Sequence, residues 1–361
     1  MLIVHGLDLS YFTGKLEGYL RAKGLTYRLQ EMTTASFRAL AQRTGIRQMP
    51  QLELPDGQWL TDTPLIIDRL EQISPQNSLT PQDPALRFLA DLIEAYGDEH
   101  LWRPALYYRW AYAADAHLMS GRLADGMFAD LPLPRALRRQ IALRRQRSVY
   151  LRDEGVTKAN RDRIEADYTD LLAALNGIFS TRDWLLGDAP TRADIGLFGP
   201  LFRHFASDPT PAQIMRDRAP RVAEWVARLW ALGPDPSRSA MDLTRIPTDL
   251  GPLLHLIEGR FLPEMADNQQ AVRRSAPLTR HYDEGVSFTY RTNAYRASRL
   301  SRLQASFAAL TVPAQITLDR HLSPRSVAIL GSGQELQPDG PMPSPGSMVR
   351  DRWWRPVERR A

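Results

Sequence analysis

The chain has 361 residues, with 43% hydrophobic, 24% charged and a net charge of +5, the profile of an ordinary folded chain long enough for two or three buried cores. It contains no cysteine, which excludes disulfides, thiolate metal sites and any mechanism built on a protein thiol. No apolar run approaches the roughly 18 to 20 residues that span a bilayer, and the N-terminus lacks the basic-then-apolar pattern of a secretory leader, so a cytoplasmic location is the expectation.

Up to about residue 75, strand and helix alternate. Residues 1–4 read as a short apolar strand, and Phe12, Leu16, Tyr19 and Leu20 then recur at helical spacing until Gly24 stops the helix. Residues 26–30 alternate like a strand, a helical stretch follows over 35–43, and residues 51–54 and 58–60 flank Pro55-Asp56-Gly57 as a hairpin. Thr63 is placed to cap the next helix, with Pro64 at its first position. The order β-α-β-α-β-β-α predicts an α/β thioredoxin-like domain over 1–75, followed by a linker at 76–84 rich in Pro, Ser, Gln and Asn.

Beyond the linker, strand signals almost vanish. Apolar stripes predict helices near 86–96, 100–120, 134–150, 157–179, 191–206 and 219–232, then 250–271 and 294–310. Together they predict an extended all-α bundle over 85–330. The last segment, 331–361, holds Gly331-Ser332-Gly333 and a proline-rich run, and is expected to be a mobile tail whose Trp353-Trp354 is available for docking.

Three motifs carry the candidate chemistry, and a fourth is structural. Ser10 stands at a strand-to-helix junction, where helix N–H groups favour an anion, with Tyr11 and Thr13 as competing hydroxyls. Gln48-Met49-Pro50 precedes a strand, and Asp62-Thr63 precedes a helix. Trp184-Leu185-Leu186-Gly187 leads into Thr191-Arg192-Ala193-Asp194-Ile195, in which Thr191 and Asp194 form a structural capping pair.

On these residues the chain resembles the glutathione S-transferase superfamily over roughly 1–232: residues 1–75 resemble its N-terminal domain, and 184–195 the core motif of its helical domain. The segments Asp98-Glu99-His100-Leu101-Trp102 and Tyr107-Tyr108-Arg109-Trp110 are further similar to a long-chain bacterial branch with metaxin and failed-axon-connections relatives. The resemblance implies a transferase of the detoxification type, working as a homodimer, with reduced glutathione as co-substrate and a small apolar or aromatic electrophile as second substrate. It implies that Ser10 activates the thiol, and that Met49-Pro50 is cis and, with Gln48, holds the cysteinyl part. Asp62 and Thr63, standing where the family has Glu-Ser, would hold the γ-glutamyl amine and carboxylate, Asp62 with a reach one methylene shorter. Tyr107, Tyr108, Arg109 and Trp110 would face the second substrate, the rings stacking on it and Arg109 steadying an anionic group.

Each assignment has a plainer alternative. Ser10 and Thr63 are both good helix caps, and an aromatic stripe on a long helix is commonly bundle packing. Conjugation, isomerisation and reductive cleavage all remain open, as does a non-catalytic binding or scaffold role. The clusters Arg138-Arg139 and Arg144-Arg145-Arg147 fall in helical segments with no nucleic-acid module, so no nucleic-acid partner is expected. The seven histidines show no ligand spacing, so no metal is expected.

Overall fold

A four-stranded mixed sheet occupies the first part of the chain in this computed structural model, which describes residues 1–234 and 240–333. Of the expected tail at 331–361, Gly331 ends a helix, and residues 334–361, with Trp353-Trp354, lie outside the described residues. In order come β1 (Leu2–Gly6), α1 (Tyr11–Lys23), β2 (Tyr27–Glu31), α2 (Thr34–Thr44), β3 (Gln51–Glu53), β4 (Trp59–Thr61) and α3 (Thr63–Ile73). The strands lie in the order β2-β1-β3-β4, with β2 parallel to β1 and the other pairs antiparallel. Alternation does what the sequence requires: Leu2, Val4 and Gly6 of β1 turn inward while Ile3 and His5 are partly exposed. α1 ends at Gly24, whose φ of 72° is the left-handed conformation that terminates helices.

The segment after α3 is tied down rather than loose. Ser78 Oγ donates to Glu71 Oε2 at 2.5 Å, Lys23 Nζ donates to Ser74 O at 2.6 Å and Gln76 O at 2.8 Å, and Leu79 is buried.

The helical region continues as α4 (Pro84–Glu99), α5 (Trp102–Ala111), α6 (Ala113–Asp125), α7 (Arg135–Arg145), α8 (Arg161–Ile178), α9 (Arg192–Pro200), α10 (Pro209–Arg218) and α11 (Pro220–Ala231). The one helix expected over 100–120 is two, because Tyr112 takes an extended backbone (φ −76°, ψ 134°) between α5 and α6. α7 and α9 each run on into a wider π-helical turn, at Gln146–Leu151 and Leu201–Phe205. α10 was not anticipated; its apolar content is too small to show as a stripe.

After residue 240 the chain adds α12 (Gly251–Leu256), α13 (Leu262–Arg273), a hairpin of β5 (Leu278–Asp283) and β6 (Val286–Arg291), then α14 (Ala294–Ala308), α15 (Val312–Asp319) and α16 (Pro324–Gly331). The hairpin corrects the expectation of a purely helical extension. Glu284 (φ 45°) and Gly285 (φ 85°) make its tight turn, the left-handed pair that matches strand twist. Thr279, His281, Phe288 and Tyr290 alternate inward.

The crossing of α4 and α9 brings the two backbones together at Gly97 and Gly196. A Cβ on Gly97 would stand 2.6 Å from Gly196 O, and one on Gly196 2.5 Å from Glu94 Cα, so neither position tolerates a side chain. Among the described residues no helix is long and apolar enough to cross a membrane.

Candidate functional site

Sheet register gathers three of the sequence motifs at one end. His5, near the end of β1, pairs with Gln51 at the start of β3, and Gln51 pairs with Thr61 at the end of β4. The β1–α1 loop ending at Ser10, the Met49-Pro50 bond before β3, and Asp62-Thr63 after β4 therefore emerge side by side.

Ser10 is the N-cap of α1: its Oγ accepts from the Thr13 N–H at 3.3 Å. That bond uses only a lone pair, so the Ser10 O–H is still a donor. Capping and activation are thus compatible in one side chain. Of the two competing hydroxyls, Tyr11 spends its O–H elsewhere and Thr13 is shut away by burial. Tyr11 is buried and donates to the Gly97 carbonyl; burial, then Asp98 and Glu99, push its pKa well above the ordinary value. Thr13 is fully buried, and its Oγ1 accepts from the Leu7 N–H at 3.4 Å.

The Met49-Pro50 bond is cis. Gln51, itself buried, braces the loop before it by donating from Nε2 to Ile46 O at 2.9 Å and Gln48 O at 3.2 Å. Gln48 and Met49 are half-buried. Asp62, not Thr63, takes the cap position of α3, yet its side chain makes no capping bond, and its φ is 70°. The carboxylate is held instead from the far end of the chain: Tyr295 O–H donates to Oδ1 at 2.7 Å, and the Arg302 guanidinium stands 3.7 Å from Oδ2. Thr63 is buried in the first turn of α3.

The aromatic stripe divides. Tyr107 and Tyr112 both donate to Glu165 Oε1 at 2.8 Å. Tyr108 stacks on Tyr112 with centroids 5.4 Å apart and meets Tyr168 edge-on, which is bundle packing. Arg109, expected to steady an anionic ligand, is buried and occupied. It donates from Nε and Nη2 to the two oxygens of Asp208 at 2.7 and 2.8 Å, from Nη1 to Leu9 O at 2.8 Å, and from Nη2 to Arg203 O. Its work is to pin the loop before Ser10 to the helical region. Trp110 lines a cleft of about 480 Å³, together with Ala111, Arg147, Leu151, Arg152 and Val156. Trp110, Leu151 and Val156 share an apolar cluster with Leu7, Leu9 and Met49.

Sequence reasoning missed the charged layer beneath. Lys15, with no solvent exposure, donates to both oxygens of Asp98 at 2.8 and 2.7 Å and sits 2.7 Å from Glu94 Oε1. Arg192 bonds Glu94 at 2.6 Å and also Asp68. Glu99 is buried beside Arg296 at 3.5 Å, and burial pushes its carboxyl up to about 7 against the pull of Arg296 and Arg299. The one signal for this layer was charge at inward helical positions of α1 and α4, which a stripe search discounts. The expected cap is present: Asp194 accepts from the Thr191 N–H at 2.9 Å, Thr191 Oγ1 at 3.0 Å, the Leu185 N–H at 3.0 Å and Trp225 Nε1 at 3.3 Å. His204 lies between Tyr11 and Trp102, kept neutral by burial and by Arg109. His5 lies 3.1 Å from Glu53.

Residues 4–78 match the glutathione S-transferase N-terminal domain, and residues 143–232 the glutathione S-transferase C-terminal domain. Over these two segments the chain carries the N- and C-terminal domains of the glutathione S-transferase superfamily. Solved structures similar to it include the β-etherase LigF from Sphingobium (22% identity, 64% of this chain and 95% of that one, TM-score 0.46). A glutathione S-transferase from Rhodospirillum rubrum is similar at 21% identity, over 69% of this chain and 97% of that one, with a TM-score of 0.40. One from Methylobacterium radiotolerans, in complex with glutathione sulfonate, is similar at 21% identity, over 68% and 97%, with a TM-score of 0.39. No curated protein matches the chain.

Proposed function

We propose that the chain is a glutathione-dependent transferase that stabilises the glutathione thiolate with Ser10 for attack on a small apolar or aromatic electrophile. The observation carrying this reading is the convergence of Ser10, the cis Met49-Pro50 bond and Asp62-Thr63 at one end of the sheet, within the matched N-terminal domain. The tripeptide would run from Met49-Pro50, whose backbone pairs with the cysteinyl unit, toward Asp62-Thr63. Its sulfur would face the N-terminus of α1. Ser10 O–H then donates to the sulfur, and a hydrogen bond to a charged group contributes about 1.5 to 3 kcal/mol, roughly one to two pKa units. The helix terminus adds up to about 1 kcal/mol. With no cysteine in the chain, the reacting sulfur is the ligand's own. The electrophile would lie in the cleft beside Trp110, whose volume suits a small molecule.

The test is the ultraviolet absorbance of the bound thiolate against pH. In Ser10→Ala the apparent thiol pKa should rise by about one to two units, with at least a tenfold loss of turnover at neutral pH. An unchanged thiolate titration would remove Ser10 from the mechanism. A non-catalytic binding protein is the second reading, favoured by the extra helices beyond the matched domains; glutathione binding without turnover of any electrophile would select it.

A further inference from the structure

The residues facing Asp62 come from α14, beyond residue 232 where the matched helical domain ends. Tyr295, Arg299 and Arg302 follow the i, i+4, i+7 spacing of one helix face. Arg299 turns toward Asp98, 3.5 Å away, and anchors the helix on α4. Tyr295 and Arg302 reach Asp62 itself. The two contacts differ in kind. Tyr295 makes a full hydrogen bond, fixing the orientation of the carboxylate. Arg302 stands at 3.7 Å, outside hydrogen-bond range, and its buried Nε has no partner. Its ring contact is with Tyr295, whose centroid is 5.9 Å from the guanidinium carbon. A guanidinium a third exposed, set beside a carboxylate at the start of a helix, presents one anionic and one cationic group together.

We propose that α14 completes the glutathione site within the same chain: Asp62 takes the ammonium of the γ-glutamyl unit, Arg302 takes its α-carboxylate, and Tyr295 positions Asp62. An amino-acid headgroup carries both charges on one carbon, and the pair Asp62–Arg302 is complementary to it. Arg302 supplies the planar fork that binds a carboxylate, and the first turn of α3 adds its positive end. The proposal rests on the reading of this end of the sheet as a glutathione site, and makes the extension a determinant of which peptide is accepted.

The test is titration calorimetry on the full chain with two peptides: glutathione, and 4-aminobutanoyl-cysteinylglycine, which keeps the amine and lacks the α-carboxylate. The wild type should bind glutathione at least about tenfold more tightly than the analogue, the scale of one charged hydrogen bond. Arg302→Gln should weaken glutathione by about the same factor and leave the analogue unchanged, and Arg302→Lys should recover part of the loss. Equal effects on the two peptides, or none on either, would overturn the proposal while leaving a glutathione site standing. Failure of the folded wild type to bind glutathione would overturn the site and the proposal together. If Arg302→Gln does not fold, by circular dichroism, the wild-type comparison decides: equal affinities for the two peptides would refute it.

Discussion

Replacing Arg109 by leucine separates two roles for one residue, substrate contact or internal fastener. The structure makes it a fastener with four hydrogen bonds, two of them to Asp208, which is fully buried. Leucine keeps some of the volume but strands the Asp208 carboxylate and two carbonyls. Breaking a buried pair from one side costs about 3 to 5 kcal/mol. For 361 residues, at about 2.1 cal/mol/K of unfolding entropy per residue, that corresponds to a fall in Tm of roughly 4 to 7 °C. The deficit should be largest at neutral and higher pH. Burial already raises the Asp208 pKa, and without Arg109 it rises further, so the orphaned carboxyl takes up a proton on acidification and part of the loss disappears. Adding Asp208→Asn should restore much of the Tm. Thermal unfolding by circular dichroism, in parallel with KM for neutral and anionic electrophiles, is the assay. A Tm within about 1 °C of wild type, combined with a KM increase confined to anionic electrophiles, would refute the fastener and return Arg109 to the substrate site.

Asp194→Ala leaves three buried N–H donors and a hydroxyl without their acceptor. It should lower stability by about 3 kcal/mol or more with glutathione affinity unchanged, and an unmoved urea midpoint would contradict this. Glu99→Gln addresses pH. The Glu99 carboxyl is raised from 4.5 to about 7 in the folded chain, so between those values the native state holds a proton that the unfolded state has released. Wild-type stability therefore falls as pH rises through this window, by at most roughly 3 kcal/mol from this group. Glutamine removes that slope, and parallel stability-against-pH curves for the two proteins would show that Glu99 titrates normally.

What was legible in the sequence was local. Gly24, the strand alternation of 26–30 and the Thr191–Asp194 pair announce their geometry within a few residues, and the chain folds there as expected. Long-range partnerships carry no such mark. Tyr295 meets Asp62 across 233 positions, and Arg109 meets Asp208 across 99, so a side chain read as site-facing from its own helix turned out to be consumed by another. The hairpin at 278–291 was hidden differently: its inward positions include Thr279 and His281, which do not register as apolar alternation, and Glu-Gly is a weaker turn signal than Asn-Gly. The break at Tyr112 is likewise silent, since tyrosine is no helix stopper and the bend is set by packing on Tyr108 and Glu165.

Helix α1 belongs to two neighbourhoods at once. One face closes the sheet with Leu16 and Leu20, while Lys15 reaches Asp98 and Tyr11 reaches Gly97 on α4. A fragment cut at residue 75 would turn that second face to water, with Tyr11 exposed and Lys15 deprived of its counter-charges, and the remainder would keep two buried acids with no lysine between them. The architectural seam near residue 75 is therefore not a seam in cooperativity. Amide protons of α1 should exchange at the rate of the whole molecule, and the chain should melt in a single transition in which sheet and bundle are lost together.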